Sequence, residues 1–598
     1  MSTYSAPSDD MQFVVKELIG LEEISQLPGF EEVTPDLVDA VIEEAGKFAT
    51  GVLDPLNQPG DQHGAVLNEH VVTPAPGFSQ AYEQFCEAGW GALANDPQWG
   101  GQGLPHTISA LTSEMWNAAC MSFCLCPMLT SGAIQAIRRH GTAELQATYL
   151  PNLVSGKWSG TMNLTEPQAG SDLSAVRARA VPEDDHYRIT GTKIFITWGE
   201  HTMAENIIHL VLARTPDAPE GVKGISLFIV PKFLVTGDGG LGDRNDVKCV
   251  SIEHKLGIHA SPTCVMAYGD DDGAIGYLVG EENRGLEHMF TMMNFARLEV
   301  GIEGVAIADR AYQRALEFAK TRVQGREAGV RSGDRVTIIH HPDVRRMLMS
   351  MKAQTEAMRS LSSLASAHLD LALKHPDKVE RARNQSLFDL LTPVVKGWCT
   401  EQSIEIASIG VQIHGGMGFV EETGAAQYLR DARITTLYEG TTAIQANDLI
   451  GRKIAFEKGA TARELIEQMR LLDAQLGKAA AHEALSTIRR TLTESLDALS
   501  ACVDWLVETY PHNVKAASAG SVPMLKMFGT VAGGWLMAKA ALIAKQRLDE
   551  NAENYDFYQA KLTTARFYAE HILPLAQAYK TQIMSGAGST LALEATQF

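Results

Sequence analysis

The chain has 598 residues, 45% of them hydrophobic and 21% charged, and a formal net charge of −21. That length exceeds what a single hydrophobic core serves, so several domains are expected. The negative balance excludes the basic footprint of a nucleic-acid binder, though a few local arginines can still hold a small anionic ligand. Eight cysteines without a paired framework suit a reducing compartment.

The opening MSTYSAPSDD has neither a basic start nor an apolar core, so it does not read as a signal or transit peptide. No uninterrupted apolar run reads as long enough to span a bilayer, and the chain is expected to be cytoplasmic, without stable membrane insertion. Residues 1–34 form an acidic lead-in with a short amphipathic piece around Phe13 to Ile24. From Pro35 the pattern is helical: Val38, Val41, Ile42 and Ala45 recur at helix spacing, and a second run covers Phe78 to Leu93. Breakers at 98–105 mark a loop. A third run, Thr107 to Ala136, is apolar nearly all round and so should be buried. It contains Cys120, Cys124 and Cys126, whose spacing lacks a CxxC pair and which have no histidine among them. They read as small buried residues, and no metal is expected.

The pattern changes near Trp158. Short β-branched or alternating runs follow: Tyr187–Ile196 with a Thr190-Gly191 turn, Asn206–Ala213, Ile225–Val230, Val247–Ile252 and Thr263–Tyr268. No helix-length segment separates them, which disfavours βαβ units and fits an antiparallel barrel or sandwich. Gly237-Asp-Gly-Gly-Leu-Gly242 matches GxGxxG, but a dinucleotide fingerprint must next open a helix, and here another strand follows; it reads as a surface loop. Helical periodicity returns at Gly285 and holds, with breaks near Gly333 and Pro376, to about Ile454. The last segment is helical too, from Leu465 to Leu476 and from Ile488 to Leu506. The expected domains are therefore 1–34 (lead-in), 35–157 (helical), 158–284 (β), 285–455 (helical) and 456–598 (additional helical extension), an α+β multidomain chain.

Four stretches carry candidate chemistry. In 412–445 a glycine-rich turn (Gly415, Gly416, Gly418) precedes Glu439 in Leu-Tyr-Glu-Gly-Thr-Thr. Apolar neighbours could raise that carboxyl toward the pKa of a useful base, or Glu439 could simply be a solvated helix end. In Met162-Asn-Leu-Thr-Glu-Pro-Gln-Ala-Gly-Ser-Asp172, Thr165 offers a hydroxyl and Gly170-Ser171 backbone N–H groups of the kind that bind phosphate; the alternative is a tight loop. Lys193-Ile-Phe-Ile-Thr-Trp-Gly199 puts Phe195 and Thr197 on one strand face, to flank a ring system or merely to pack. Arg297 lies in a Met- and Phe-rich helix where a charge needs a partner, and Lys320-Thr-Arg-Val-Gln-Gly-Arg326 follows.

These stretches, in this order and with these gaps, resemble the acyl-CoA dehydrogenase family over roughly residues 35–455, Leu164-Thr-Glu-Pro-x-Ala-Gly-Ser-Asp172 and Tyr438-Glu-Gly-Thr441 being specific signatures. The resemblance implies a helical N-terminal domain, a central antiparallel β-barrel and a C-terminal four-helix bundle, with FAD between barrel and bundle. It implies that Leu164 and Thr165 contact the flavin, that Gly170 and Ser171 approach its pyrophosphate, that Phe195 covers one flavin face and that Thr197 bonds near N5. Arg322, Gln412, Gly415 and Gly416 match positions that grip the FAD of a neighbouring subunit, and Thr441 touches the cofactor. Asn294 and Arg297, with Ser171, match substrate-side positions. Glu439 is then the base that takes the α-proton of an acyl-CoA while the β-hydrogen passes as hydride to flavin N5, giving a trans-2-enoyl-CoA.

Arg322-Val-Gln-Gly325 is one residue shorter than the family's Arg-x-x-x-Gly, and some relatives place the base on the substrate-side helix, where Glu299 lies. The extension resembles that of a bacterial subgroup that includes 3-methylmercaptopropionyl-CoA dehydrogenases, which implies a homodimer and electron-transferring flavoprotein as acceptor. Its small-residue stretch Val531–Ala544 reads as a bundle interface rather than a membrane contact. Short or medium acyl groups are expected, 3-methylthiopropionyl among them, with the pliable stretch Met121–Met128 at the acyl tail. The alternatives are an acyl-CoA oxidase that passes electrons to O₂, a long-chain acyl-CoA dehydrogenase, and a flavin-free acyl-CoA binding protein.

Overall fold

The structure, a computed structural model, describes residues 3–598 apart from residue 480. The chain forms two compact units, one of residues 1–46, 105–118 and 300–598, the other of residues 47–104 and 119–299.

The second unit is built on an eight-stranded sheet with the order Val247–Ile252, Thr263–Tyr268, His186–Thr197, Ala274–Leu278, Ser226–Pro231, Asn206–Ala213, Trp158–Asn163; Arg179–Glu183 pairs with His186–Thr197 off that path. Three strands take the bounds their alternation predicts, because β-branched residues fit a half-buried pleated surface. Two expectations need correction. The sheet is not wholly antiparallel: Trp158–Asn163 runs parallel to Asn206–Ala213. Residues 164–205 separate these strands and include two others, which gives the chain the length a parallel return requires. Nor do Thr190 and Gly191 make a turn. His186–Thr197 is one continuous strand, and Gly191, at φ 142°, lets Ala178 approach to where a Cβ would lie 3.0 Å from its Cα. The GxGxxG stretch is the connection of a hairpin between Phe233–Val235 and Leu241–Arg244, with no helix after it.

A short hairpin, Val66–Asn68 with Val71–Thr73, and the helix Phe78–Glu87 complete much of this unit. The helix His106–His140 departs from helical geometry at Cys120 (φ −157°, ψ 84°). Cys120, Cys124 and Cys126 are all buried, in keeping with their reading as small core residues.

The long helices of the first unit include Pro342–Lys374, Lys378–His414, Glu483–Thr509, Ser521–Asp549 and the part of Gly285–Thr321 from residue 300 on. Local signals set their ends. Pro342 occupies the first turn of its helix, Asp377 accepts from the Val379 N–H (2.8 Å) to cap the next, and that helix stops at Gly415 (φ 61°). The lead-in packs in this unit. Asp10 pairs with Arg359 and with Lys561, Arg359 also binds Glu114 (2.9 Å) and Asp309 (3.1 Å), and Lys561 binds Glu356 (2.9 Å). Farther along, Glu17 accepts from Arg547 (2.7 Å) and Tyr558 (2.9 Å), and the Phe13 ring meets that of Phe557 at 5.7 Å. The N-terminal arm thus latches onto the helices of the C-terminal extension.

One further expectation is corrected. His106–His140 and Ser521–Asp549 are long and apolar enough to cross a membrane by length and composition, but 83% and 78% of their apolar windows are buried inside the protein. Their apolar character serves helix packing: in Ser521–Asp549, a Cβ on Gly529 would lie 2.2 Å from the Trp398 ring and one on Gly534 2.4 Å from Leu573.

Candidate active site

In the second unit, the loop 164–172 is held by one buried carboxylate. Glu166 (3% exposed) accepts from Lys193 Nζ (2.8 Å), Gln168 Nε2 (2.6 Å) and the backbone N–H groups of Arg177 (2.7 Å) and Ala178 (3.0 Å). Lys193, wholly buried, also donates to the Leu164 carbonyl (3.0 Å). Burial alone would raise the Glu166 pKa, but Lys193 and the two backbone donors outweigh it and hold the carboxyl below its ordinary value. Lys193 has fewer partners, and burial brings it down to about 8 in spite of Glu166. Both groups are charged at neutral pH. Leu164 is buried, Thr165 half-buried, and Gly170 and Ser171 exposed, with nothing within 4 Å of a Cβ placed on Gly170.

The same lysine lies on the strand that carries Phe195 and Thr197. Strict alternation would put all three on one face, yet Lys193 is buried and Phe195 is 59% exposed. A β-bulge separates them: opposite Cys264 and Met266 stand Ile196 and Lys193, so this strand carries one extra residue. Phe195 takes φ 60°, and the displaced Ile194 N–H donates to the Thr165 carbonyl (2.9 Å). The bulge therefore turns the aromatic outward and ties its strand to the Thr165 loop. In the helix beyond, Arg297 (6% exposed) donates to Asn294 Oδ1 (3.4 Å) and lies over the Phe290 ring at 5.7 Å, so the two substrate-side candidates come together.

In the first unit, Glu439 lies on a turn between the helices Ala425–Thr435 and Thr442–Asn447, and it is half-buried. It takes φ 52°, uncommon for any residue but glycine, and is followed by Gly440 at φ 91°. Gln445 Nε2 donates to the Glu439 carbonyl (3.1 Å), and the wholly buried Lys396 donates to the Gly440 carbonyl (2.6 Å). A Cβ on Gly440 would lie 2.5 Å from Gln445 Nε2. The Tyr438 hydroxyl donates to the buried Glu303, and burial, reinforced by that carboxylate, raises the phenol pKa well above normal. Thr441 caps the next helix by accepting from the Ile444 N–H (3.3 Å). Gln412, Gly415, Gly416 and Arg322 are all exposed, and nothing lies within 4 Å of a Cβ placed on either glycine. Lys193, Glu166, Lys396 and Gln445 escaped the sequence reading, although Glu166 stands inside one signature and Lys193 beside Phe195.

Four family models match the chain: "Acyl-CoA dehydrogenase, N-terminal domain" over 39–157, the middle domain over 161–270, the C-terminal domain over 283–454, and "Acetyl-CoA dehydrogenase C-terminal like" over 465–594. The 3-methylmercaptopropionyl-CoA dehydrogenase of Ruegeria pomeroyi is 49% identical, with 98% of this chain and 99% of that one aligned. The chain belongs to the acyl-CoA dehydrogenase family. Membership makes it an oxidoreductase with FAD as cofactor and an acyl-CoA thioester as substrate class. A broad-specificity linear acyl-CoA dehydrogenase of Mycobacterium tuberculosis is 34% identical over 96% of either chain. Among solved structures, an acyl-CoA dehydrogenase complexed with FAD from Bacillus anthracis shares the fold at 20% identity (TM-score 0.74, 96% of this chain and 92% of that one).

Proposed function

We propose that this acyl-CoA dehydrogenase oxidises the α,β bond of a short or medium acyl-CoA, 3-methylthiopropionyl-CoA among its substrates, with Glu439 as the base. The observation that carries the assignment is the turn at 438–441. The backbone of a carboxylate residue is held there in a strained conformation by a buried lysine and a buried glutamine, with the Tyr438 hydroxyl anchored before it, while Leu437, expected to keep water away, is exposed (47%). Such pre-orientation is what proton abstraction from carbon needs, because the weakly acidic α-hydrogen must meet its base in one geometry.

The residue types on each unit, taken separately, support a flavin with a pyrophosphate as the ligand. In one unit Gly170 leaves backbone open to close approach and Phe195 presents an exposed ring; in the other Gly415 and Gly416 do the same for backbone and Arg322 offers an exposed cation, matching positions that grip a neighbouring subunit's cofactor. We assign Leu164, Thr165, Gly170, Ser171, Phe195, Thr197, Gln412, Gly415, Gly416, Thr441 and Arg322 to the cofactor, and Asn294, Arg297 and Ser171 to the acyl-CoA. When bound, FAD supplies the acceptor for two electrons and the β-hydrogen. Glu439 takes the α-proton onto its carboxylate, and its backbone N–H holds the thioester oxygen as negative charge develops there. The same reading takes the sheet as part of a barrel, residues 285–455 as a four-helix bundle, electron-transferring flavoprotein as the acceptor, and a cytoplasmic homodimer as the working form.

Glu439→Gln tests the base. The variant should keep its flavin spectrum and lose nearly all turnover with 3-methylmercaptopropionyl-CoA and butyryl-CoA; wild-type rates would overturn the assignment. A series of acyl-CoA thioesters, read as kcat/KM against chain length, tests the substrate range, and peroxide yield against reduction of electron-transferring flavoprotein separates a dehydrogenase from an oxidase.

A further inference from the structure

The helix Ser521–Asp549 of the C-terminal extension lies against Lys378–His414, the helix that carries Lys396. The two interlock through glycines in both directions. A Cβ on Gly397 would lie 2.4 Å from Leu525, and one on Gly529 would lie 2.2 Å from Trp398, so each helix presses a large side chain onto bare backbone of the other. Gly397 immediately follows Lys396, whose ammonium donates to the Gly440 carbonyl (2.6 Å). One residue after Leu525, Lys526 pairs with Glu401 (3.2 Å), and Glu401 Oε1 accepts from the Thr442 hydroxyl (2.6 Å). Thr442 begins the helix Thr442–Asn447, which also carries Gln445, the donor to the Glu439 carbonyl.

We propose that the extension is a working part of the active site: its helix braces the Glu439 turn from behind, through Leu525 on Gly397 and through the relay Lys526–Glu401–Thr442. This rests on the reading of Glu439 as the base. The physical reason is strain. A non-glycine residue at φ 52° drifts to a commoner conformation unless its surroundings fix it. The two fixing donors stand on two helices, Lys378–His414 and Thr442–Asn447, and the extension links both. Lys526, Glu401, Thr442 and Leu525 are positioning residues.

Deleting the extension would expose apolar helix faces and unfold the unit, so the test uses point substitutions in the full-length, FAD-loaded chain. Lys526→Met removes the charge that holds Glu401, Thr442→Val removes the hydroxyl, and Lys526→Arg keeps the ion pair. Anaerobic flavin reduction by 3-methylmercaptopropionyl-CoA and by butyryl-CoA is followed by stopped flow across pH, beside KM, flavin content and the thermal midpoint. Misplacing a base by a fraction of an ångström should slow Lys526→Met and Thr442→Val about tenfold in kcat, with KM and flavin content unchanged. The double variant should be no slower than the slower single, and Lys526→Arg should recover most of the rate. The proposal is overturned if Lys526→Met reduces its flavin at the wild-type rate, or if any loss merely tracks lost flavin or a lower thermal midpoint. An active Glu439→Gln refutes the reading of the base. An inactive Glu439→Gln beside a fully active Lys526→Met refutes the brace alone.

Discussion

Lys193→Met is the most direct probe of how the Thr165 loop is held. Methionine is close to lysine in volume and one heavy atom shorter, so the variant removes a charge and two hydrogen bonds without opening a large cavity. Glu166 loses the Lys193 donor at 2.8 Å but keeps Gln168 and the N–H groups of Arg177 and Ala178, while the Leu164 carbonyl loses its 3.0 Å donor. Breaking a buried ion pair typically costs about 3–5 kcal/mol, because the remaining charge is stranded. Three surviving donors put this case at the low end, about 3 kcal/mol, with weaker FAD retention because the loop loosens. Denaturant unfolding of wild type and variant at pH 7 gives the first quantity, and flavin content after dialysis the second. Adding Glu166→Gln should recover part of the loss, since no charge is then left unpaired. The pH dependence has a definite sign. Burial brings Lys193 down to about 8 in the fold from the ordinary lysine value of 10.5, so its contribution is present above the unfolded value and is lost as pH falls through about 8. Wild-type stability therefore carries a component that rises between those values, and Lys193→Met lacks it. A loss below about 1 kcal/mol, with flavin retention and pH slope unchanged, would refute the reasoning.

The buried cluster around Arg359 sets Asp10, Glu114, Asp309 and Glu356 against Arg359, Lys561 and Lys352, an excess of one acid, and burial pushes Glu114 up to about 7 despite Arg359. A raised carboxyl stabilises the fold below its unfolded pKa and loses that contribution as pH rises through its folded one, so Glu114→Gln should flatten the fall in thermal midpoint between about pH 5 and pH 7.5. Asp10 has the opposite sense: burial opposes its charge, but Lys561 and Arg359 hold its carboxyl well below the usual range. Asp10→Asn should accordingly cost about 2–4 kcal/mol at neutral pH in denaturant unfolding, and less in acid. Gly440→Ala puts a Cβ 2.5 Å from Gln445 Nε2 at φ 91°; kcat should fall by at least about tenfold with flavin content retained, as measured by steady-state turnover.

The order of helix, strand, helix and helix was legible because the hydrophobic period changes from helical to alternating near Trp158 and back near Gly285, and Asn206–Ala213, Val247–Ile252 and Thr263–Tyr268 took their predicted bounds. The hairpin Val66–Asn68 with Val71–Thr73 was not legible: its strands have three residues each, too few for a period, and its turn is Glu69-His70 rather than a glycine pair. The division into units follows contacts between residues far apart in sequence, such as Asp10 with Lys561, which local pattern cannot report. At the candidate site, the residues proposed to face a ligand were readable as types in a motif, whereas those that hold their loops were not. Lys193 would share a face with Phe195 by alternation, and only the bulge, set by pairing with Thr263–Tyr268, buries one and exposes the other. Lys396 looks in sequence like any lysine in a helix; its burial becomes apparent only once Gly440 is brought beside it.

The residues in left-handed backbone conformation bear on which carboxylate is the base. Such a conformation costs about 1–3 kcal/mol in a non-glycine residue and persists only where its surroundings over-determine it. Phe195, Trp198 and Glu439 all adopt it, and each has its local grip. The Ile194 N–H is held by Thr165 (2.9 Å), the Trp198 N–H by Pro262 (2.8 Å), and the Glu439 carbonyl by Gln445 (3.1 Å). Glu299 differs: it is a buried residue within the helix Gly285–Thr321 and does not take a positive φ. A helical carboxylate needs no special backbone support to stand where it does. Glu439 shares its left-handed backbone with the exposed turn residues Glu69 (φ 53°) and Asp184 (φ 48°), and differs from them in the buried groups that grip its turn, Gln445 on its own carbonyl and Lys396 on that of Gly440. On the proposed reading, that buried grip is what suits Glu439 rather than Glu299 to meet the α-hydrogen. Because both donors belong to the chain itself, the backbone of the turn is set in the folded protein before any thioester binds.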